Sequence, residues 1–101
     1  MKLVMVTFIE EYQQDVLSLL KKAEIDNFSE SDIDGFKKSS NKFIASNWFS
    51  GESVTVNSLL IFSFTEEKNA DALFVEIKKF NENLKTASPI KAAILPIEKF
   101  I

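Results

Sequence analysis

A chain of 101 residues, 46% hydrophobic and 27% charged with a net charge of −3, has room for one core and no second one. It contains no cysteine and no histidine, which excludes thiol nucleophiles, disulfides, imidazole acid/base chemistry, a Ser-His-Asp triad and Cys/His metal sites. Two glycines cannot write a P-loop or a G-x-G-x-x-G turn, and no basic patch is present to neutralise phosphates, so a nucleic-acid partner is not expected.

Met1-Lys2 leads into a short apolar run that Glu10-Glu11 interrupts, which is not the pattern of a signal peptide. No stretch approaches the roughly 20 apolar residues of a membrane span, so direct membrane insertion is not expected. Freedom from cysteine agrees with a reducing compartment, and the expected location is cytoplasmic. The run itself, Leu3-Val4-Met5-Val6-Thr7-Phe8, is apolar on both faces and reads as a central strand. Tyr12, Val16, Leu19, Leu20 and Ala23 then recur at helical spacing, with Gln13, Gln14, Asp15 and Lys21 opposite. An extended segment follows from Ile33 to Lys38, with Gly35 expected as a bulge.

Residues 39–53 connect this segment to a second apolar run, Leu59-Leu60-Ile61-Phe62-Ser63-Phe64, again of central-strand type. Ala70, Leu73, Phe74, Ile77, Phe80 and Leu84 predict a second amphipathic helix, with Thr65 as its N-cap before Glu66-Glu67. A last strand is expected over Ile90–Ile97, where Pro96 confines it to a sheet edge or a strand end.

Shifting the chain by 56 residues places Leu3 on Leu59, Phe8 on Phe64, Glu10-Glu11 on Glu66-Glu67 and Asp15 on Asp71. That is the mark of a duplicated strand–helix unit, although convergent patterning gives a similar match. The order β-α-β-β-α-β with right-handed crossovers makes a ferredoxin-like α+β domain: a four-stranded antiparallel sheet with both helices on one face. The whole chain, 1–101, is then one domain. The other sheet face is left bare, and Val4, Met5, Phe62 and Phe64 offer apolar groups for both faces at once, which predicts self-association.

The 39–53 connection carries the only tryptophan. Trp48 and Phe49 read either as packing against a neighbouring subunit, as an aromatic anchor for a partner protein, or as a base-stacking pair, the last opposed by the missing basic stripe. Glu30-x-Asp32-x-Asp34-Gly35 imitates the opening of an EF-hand loop, but Asn41 stands where the closing carboxylate belongs and Lys37-Lys38 would lie inside the loop. It reads as a solvated strand, and no metal site is expected. Paired carboxylates without a burial context carry no glycosidase signal, and the pairs Lys21-Lys22, Lys37-Lys38 and Lys78-Lys79 read as solvated faces or helix ends.

Several of these segments together resemble the PII-like trimeric signalling proteins and the CutA-type divalent-cation-tolerance proteins that share their fold. The segments are Lys2-Leu3-Val4-Met5-Val6, Asp34-Gly35-Phe36, the long 39–53 connection and the terminal Ala92-Ala93-Ile94-Leu95-Pro96-Ile97-Glu98. Asn47-Trp48-Phe49-Ser50-Gly51 is similar to a turn of the CutA branch, and Gly35-Phe36 to the PII branch, where it precedes the signalling T-loop. The resemblance implies a homotrimer packed through its open sheet faces, a ligand cleft between subunits, and a T-loop (39–53 here) that docks on a transporter or an enzyme. By the same resemblance Gly35, Phe36, Lys38 and Lys91 are the ligand-binding positions, with Lys91 closing a phosphate-binding loop.

That loop departs from the family pattern. Leu84-Lys85-Thr86-Ala87-Ser88-Pro89-Ile90 holds no glycine, whereas a backbone phosphate cradle needs tight turns and close approach. No nucleotide cofactor of the usual kind is therefore expected. The only tyrosine, Tyr12, falls in a helix and offers no T-loop modification site. The expected function is non-catalytic regulation through loop docking, with a small-molecule or anion sensor, or a CutA-like protein, as the alternatives; no nucleophile–base pair supports an enzyme.

Overall fold

The computed structural model describes the backbone of residues 1–37, 54–84 and 88–101, and the side chains of all of these except 35–37 and 54–56. The elements are β1 (Lys2–Ile9), a 3-10 turn (Glu10–Tyr12), α1 (Gln13–Lys22), β2 (Ser29–Lys37), β3 (Val54–Thr65), α2 (Glu67–Glu82) and β4 (Lys91–Pro96). The strands lie in the order β2-β3-β1-β4, every neighbouring pair antiparallel. The two apolar runs thus occupy the two central places, and the expected ferredoxin-like α+β fold is the one observed.

Side-chain alternation sorts the sheet into two faces. Val4, Val6 and Phe8 of β1 and Leu59 and Ile61 of β3 are buried in one cluster with Val16, Leu19 and Leu20 of α1 and Ala70, Leu73 and Ile77 of α2. Register follows the same division, with Val6 opposite Ile61 and Phe8 opposite Leu59. The helices cover this face because their apolar residues recur every three or four positions, and burying that stripe is the main source of their stability. Tyr12 meets Phe80 of α2 edge to face, ring centroids 5.5 Å apart.

The chain leaves α1 through a Schellman ending. Ile25 N–H donates to Leu20 O at 3.0 Å and Glu24 N–H to Lys21 O at 3.0 Å. Glu24 takes the left-handed conformation, φ 60°, that glycine usually fills. Asn69 of α2 completes the ending from outside, its amide donating to Ala23 O at 3.1 Å and to Glu24 O at 3.3 Å. These contacts use carbonyls that the helix cannot satisfy itself, and they tie the two helices together at one end.

Four expectations need correction. Gly35 is not a bulge: β2 pairs with β3 without interruption from Ser29↔Phe62 to Lys37↔Val54, and the strand begins four residues before Ile33. Thr65 ends β3, and the N-cap of α2 is Glu66, with no side-chain cap bond. The last strand is shorter than Ile90–Ile97, running from Lys91 to Pro96, although Pro96 does end an edge strand. The shift of 56 residues also fails as a structural equivalence, because Leu59 lies under the helices while its counterpart Leu3 faces the other way. Period-2 alternation makes an even shift conserve facing only if both strands start in phase, and they do not.

Among the described residues no helix is long and apolar enough to cross a membrane.

Candidate functional site

The sheet face away from the helices is built from the other half of the alternation. Leu3, Met5, Thr7 and Ile9 of β1 lie opposite Phe64, Phe62, Leu60 and Ser58 of β3, and Leu3 and Met5 also opposite Leu95 and Ala93 of β4. Phe64 is 48% exposed there and Leu95 38%, while Ile9 at one end also packs against the core cluster. Leu3 to Ile9 spans about 20 Å along the strands and four strands span about 14 Å across. That is a footprint of roughly 280 Å², on which Leu3, Met5, Leu60 and Phe62 are half-buried and Phe64 and Leu95 exposed.

The charge distribution reinforces the division. Glu30 and Asp32 of β2 stand opposite Ile61 and Leu59, on the helix side of the sheet, so the acidic alternation of this edge strand turns away from the apolar face. Glu30 accepts both contacts of the Gln13 amide, at 3.0 and 3.2 Å. The EF-hand-like run is therefore one side of an extended edge strand, a common way of keeping an edge from pairing.

Of the expected ligand residues, Gly35, Phe36 and Lys91 do not converge within one chain. Gly35 and Phe36 lie on β2 opposite Val56 and Thr55, on one edge of the sheet. Lys91 begins β4 on the other edge, exposed and opposite Thr7, whose partner on β3 is Leu60. Three strand spacings and four residues of offset separate them by about 19 Å. Within one chain they line no common site. Lys38, Trp48 and Phe49, and the 39–53 connection as a whole, lie outside the described residues.

Lys91 itself is well positioned. Asn81 of α2 donates its amide to Ile90 O at 2.8 Å and accepts from Ile90 N–H at 2.9 Å, a two-sided clamp on the residue before it. Ile90 is buried, so the chain enters β4 at a fixed place. Near the same end of the sheet a cavity of about 280 Å³ is lined by Glu10, Asp32, Ile33, Asp34, Asn57, Ser58 and Leu59. Three of these are carboxylates and none is a cation, which opposes an anion inside a single chain.

Sequence reasoning did not single out Asn81 or Phe100. An asparagine nine residues before its backbone partner has no local signature. Phe100, beyond the last strand, could have been noticed only as an aromatic residue with no predicted element to pack on.

No protein-family model and no curated protein matches the sequence. Among solved structures the chain is similar to CPII, a nitrogen regulatory PII-like protein from Thiomonas intermedia K12, solved bound to ADP, AMP and bicarbonate. The likeness has a TM-score of 0.62 at 13% identity and covers 99% of this chain and 94% of that one. This is a PII-like ferredoxin-like fold over the full length.

Proposed function

We propose that this chain is a non-catalytic PII-like regulatory subunit that acts as a cytoplasmic homotrimer. Its β2–β3 connection, through Trp48 and Phe49, docks on a transporter or an enzyme. The observation that carries the reading is the open face of the sheet, with Leu3, Met5, Phe62, Phe64 and Leu95 on a fold shared with CPII. An acidic chain associates best where identical surfaces meet without like charges, and this face keeps the β2 acids on its far side.

A second reading, a sensor of a small ligand between subunits, is favoured by one geometric fact. Lys91 and the Gly35-Phe36 pair sit at opposite edges of the sheet, and only neighbouring copies bring such edges together. CPII is solved with ADP, AMP and bicarbonate. The glycine-free 84–90 segment argues for a ligand held by side chains rather than by a backbone cradle.

Light scattering at micromolar concentration is expected to give three times the chain mass, and a monomer would refute the regulatory-trimer reading. Trp48→Ala with Phe49→Ala is expected to leave the trimer intact and to abolish capture of its partner. Loss of the trimer instead would make those aromatics interface packing. Calorimetry against ADP, AMP, ATP, bicarbonate and 2-oxoglutarate tests the sensor reading; no heat and an unchanged melting temperature with all five would end it.

A further inference from the structure

The acidic residues of this chain are not spread evenly. Residues 23–36 carry Glu24, Asp26, Glu30, Asp32 and Asp34 and no lysine or arginine, although the whole chain has 12 cations. The last three of these acids fall on β2 at every second position, so they share one row of the strand. All three are exposed. The Gln13 amide holds Glu30. Among the described residues no lysine pairs with Asp32, Asp34 or the nearby Glu10; the ion pair present is Lys79–Glu76 on α2.

β2 is also an edge strand. It pairs with β3 on one side, from Ser29 to Lys37, and with no described strand on the other. Alternate residues of such a strand turn both backbone groups outward, so the edge offers N–H and C=O groups spaced for another strand. Acidic charge blocks pairing with a like edge, because carboxylate then faces carboxylate. It does not block a strand of opposite charge.

The cavity of about 280 Å³ adjoins this edge, lined by Asp32 and Asp34 from β2 and by Glu10 from the turn after β1. A cationic side chain that enters it meets carboxylates from two elements and no competing cation. Lys37 ends the strand three residues past Asp34, which confines the favourable register to Ser29–Asp34.

We propose that the β2 edge over Ser29–Asp34 is a docking site for an extended segment of a partner protein with lysine or arginine at alternate positions. The segment joins the sheet as an added strand. Main-chain bonds supply the affinity, and the acidic row with its cavity selects the partner, the division of labour usual in strand addition. A second β2 is repelled by the same carboxylates, and β4 of another copy brings one cation, Lys91, and closes on Pro96. Nucleic acid and anionic membranes are repelled as well. Neither trimer formation nor loop docking is required for this contact.

The test uses the full chain with a short capped peptide alternating lysine and valine, a version with one inner valine replaced by proline, and a version with glutamate for lysine. Calorimetry at low salt measures binding, and hydrogen exchange followed by NMR locates it. The lysine peptide is expected to bind, to weaken as salt screens the charges, and to slow exchange at alternate amides between Ser29 and Asp34. The glutamate peptide is expected not to bind, and the proline peptide to lose most of the affinity, since it lacks a donor for the ladder. Asp32→Asn with Asp34→Asn is expected to weaken the lysine peptide about 2- to 30-fold, the range for two lost cross-strand charge pairs. Asp71→Asn, at an exposed position on α2, is expected to change nothing. Each variant is first checked for native circular dichroism. Equal binding of the proline peptide would leave only general charge attraction, and unslowed exchange on β2 would put the peptide elsewhere; either overturns the proposal, as does no heat at millimolar lysine peptide. Exchange at these amides that is already slow without peptide and quickens on dilution would give the edge to a second copy, and overturns it too.

Discussion

The Asn81 clamp offers the most direct test of how the candidate site is positioned. Asn81→Ala removes a donor 2.8 Å from Ile90 O and an acceptor 2.9 Å from Ile90 N. Ile90 is 3% exposed, so water reaches its backbone poorly once the amide is gone. Leaving a buried polar group unsatisfied costs about 1–3 kcal/mol. Two groups in a partly buried setting bring the total to about 3 kcal/mol.

At about 2.1 cal/mol/K of unfolding entropy per residue, a chain of this length melts about 14 °C lower for that loss. Asn81→Asp separates the two bonds: its carboxylate still accepts from Ile90 N–H but meets Ile90 O oxygen to oxygen, so it is expected to recover little. The assay is thermal and urea unfolding followed by circular dichroism, at matched protein concentration because assembly shifts the midpoint. An unchanged m-value with a lower midpoint would locate the effect in native stability. A fall of less than about 1 kcal/mol for Asn81→Ala would refute the argument, since it would mean that solvent already serves the Ile90 backbone.

Three further outcomes follow from the packing. Glu24→Gly removes a side chain from the left-handed ending of α1 at φ 60° and is expected to stabilise the fold by up to about 1 kcal/mol, read as a higher melting temperature. Leu73→Ala, at a position with no exposure between α2 and the sheet, is expected to cost about 2–5 kcal/mol in urea unfolding. Ser63 is the polar residue within the buried strip of β3, and its hydroxyl donates to Asn27 O. Ser63→Ala is expected to lower stability by about 1 kcal/mol, and a gain instead would mean that the Asn27 carbonyl finds another donor.

Much of the fold was legible because its signals are local. Two apolar runs marked the central strands, and two helical stripes picked out residues that are all buried or half-buried in the structure, including Tyr12, Val16, Leu73 and Phe80. Gly35 misled because a glycine in a strand often marks a bulge, whereas here it lies in an unbroken ladder. The shift of 56 misled because residue similarity carries no information about which way a strand faces. Leu3 and Leu59 are the same residue type on opposite sides of one sheet.

The composition and patterning of this chain by themselves determined its class: no imidazole, no thiol, no glycine cradle, and β-α-β-β-α-β with one face of the sheet left over. Those properties follow from residue type and from spacing within an element. The tertiary structure alone decided that Gly35-Phe36 and Lys91 stand on opposite edges, that Asn81 fixes the start of β4, and that Phe100 folds back onto Phe64. Each of these joins residues from different elements. Their meeting depends on strand order, register and the path of the chain between elements, which no local pattern encodes.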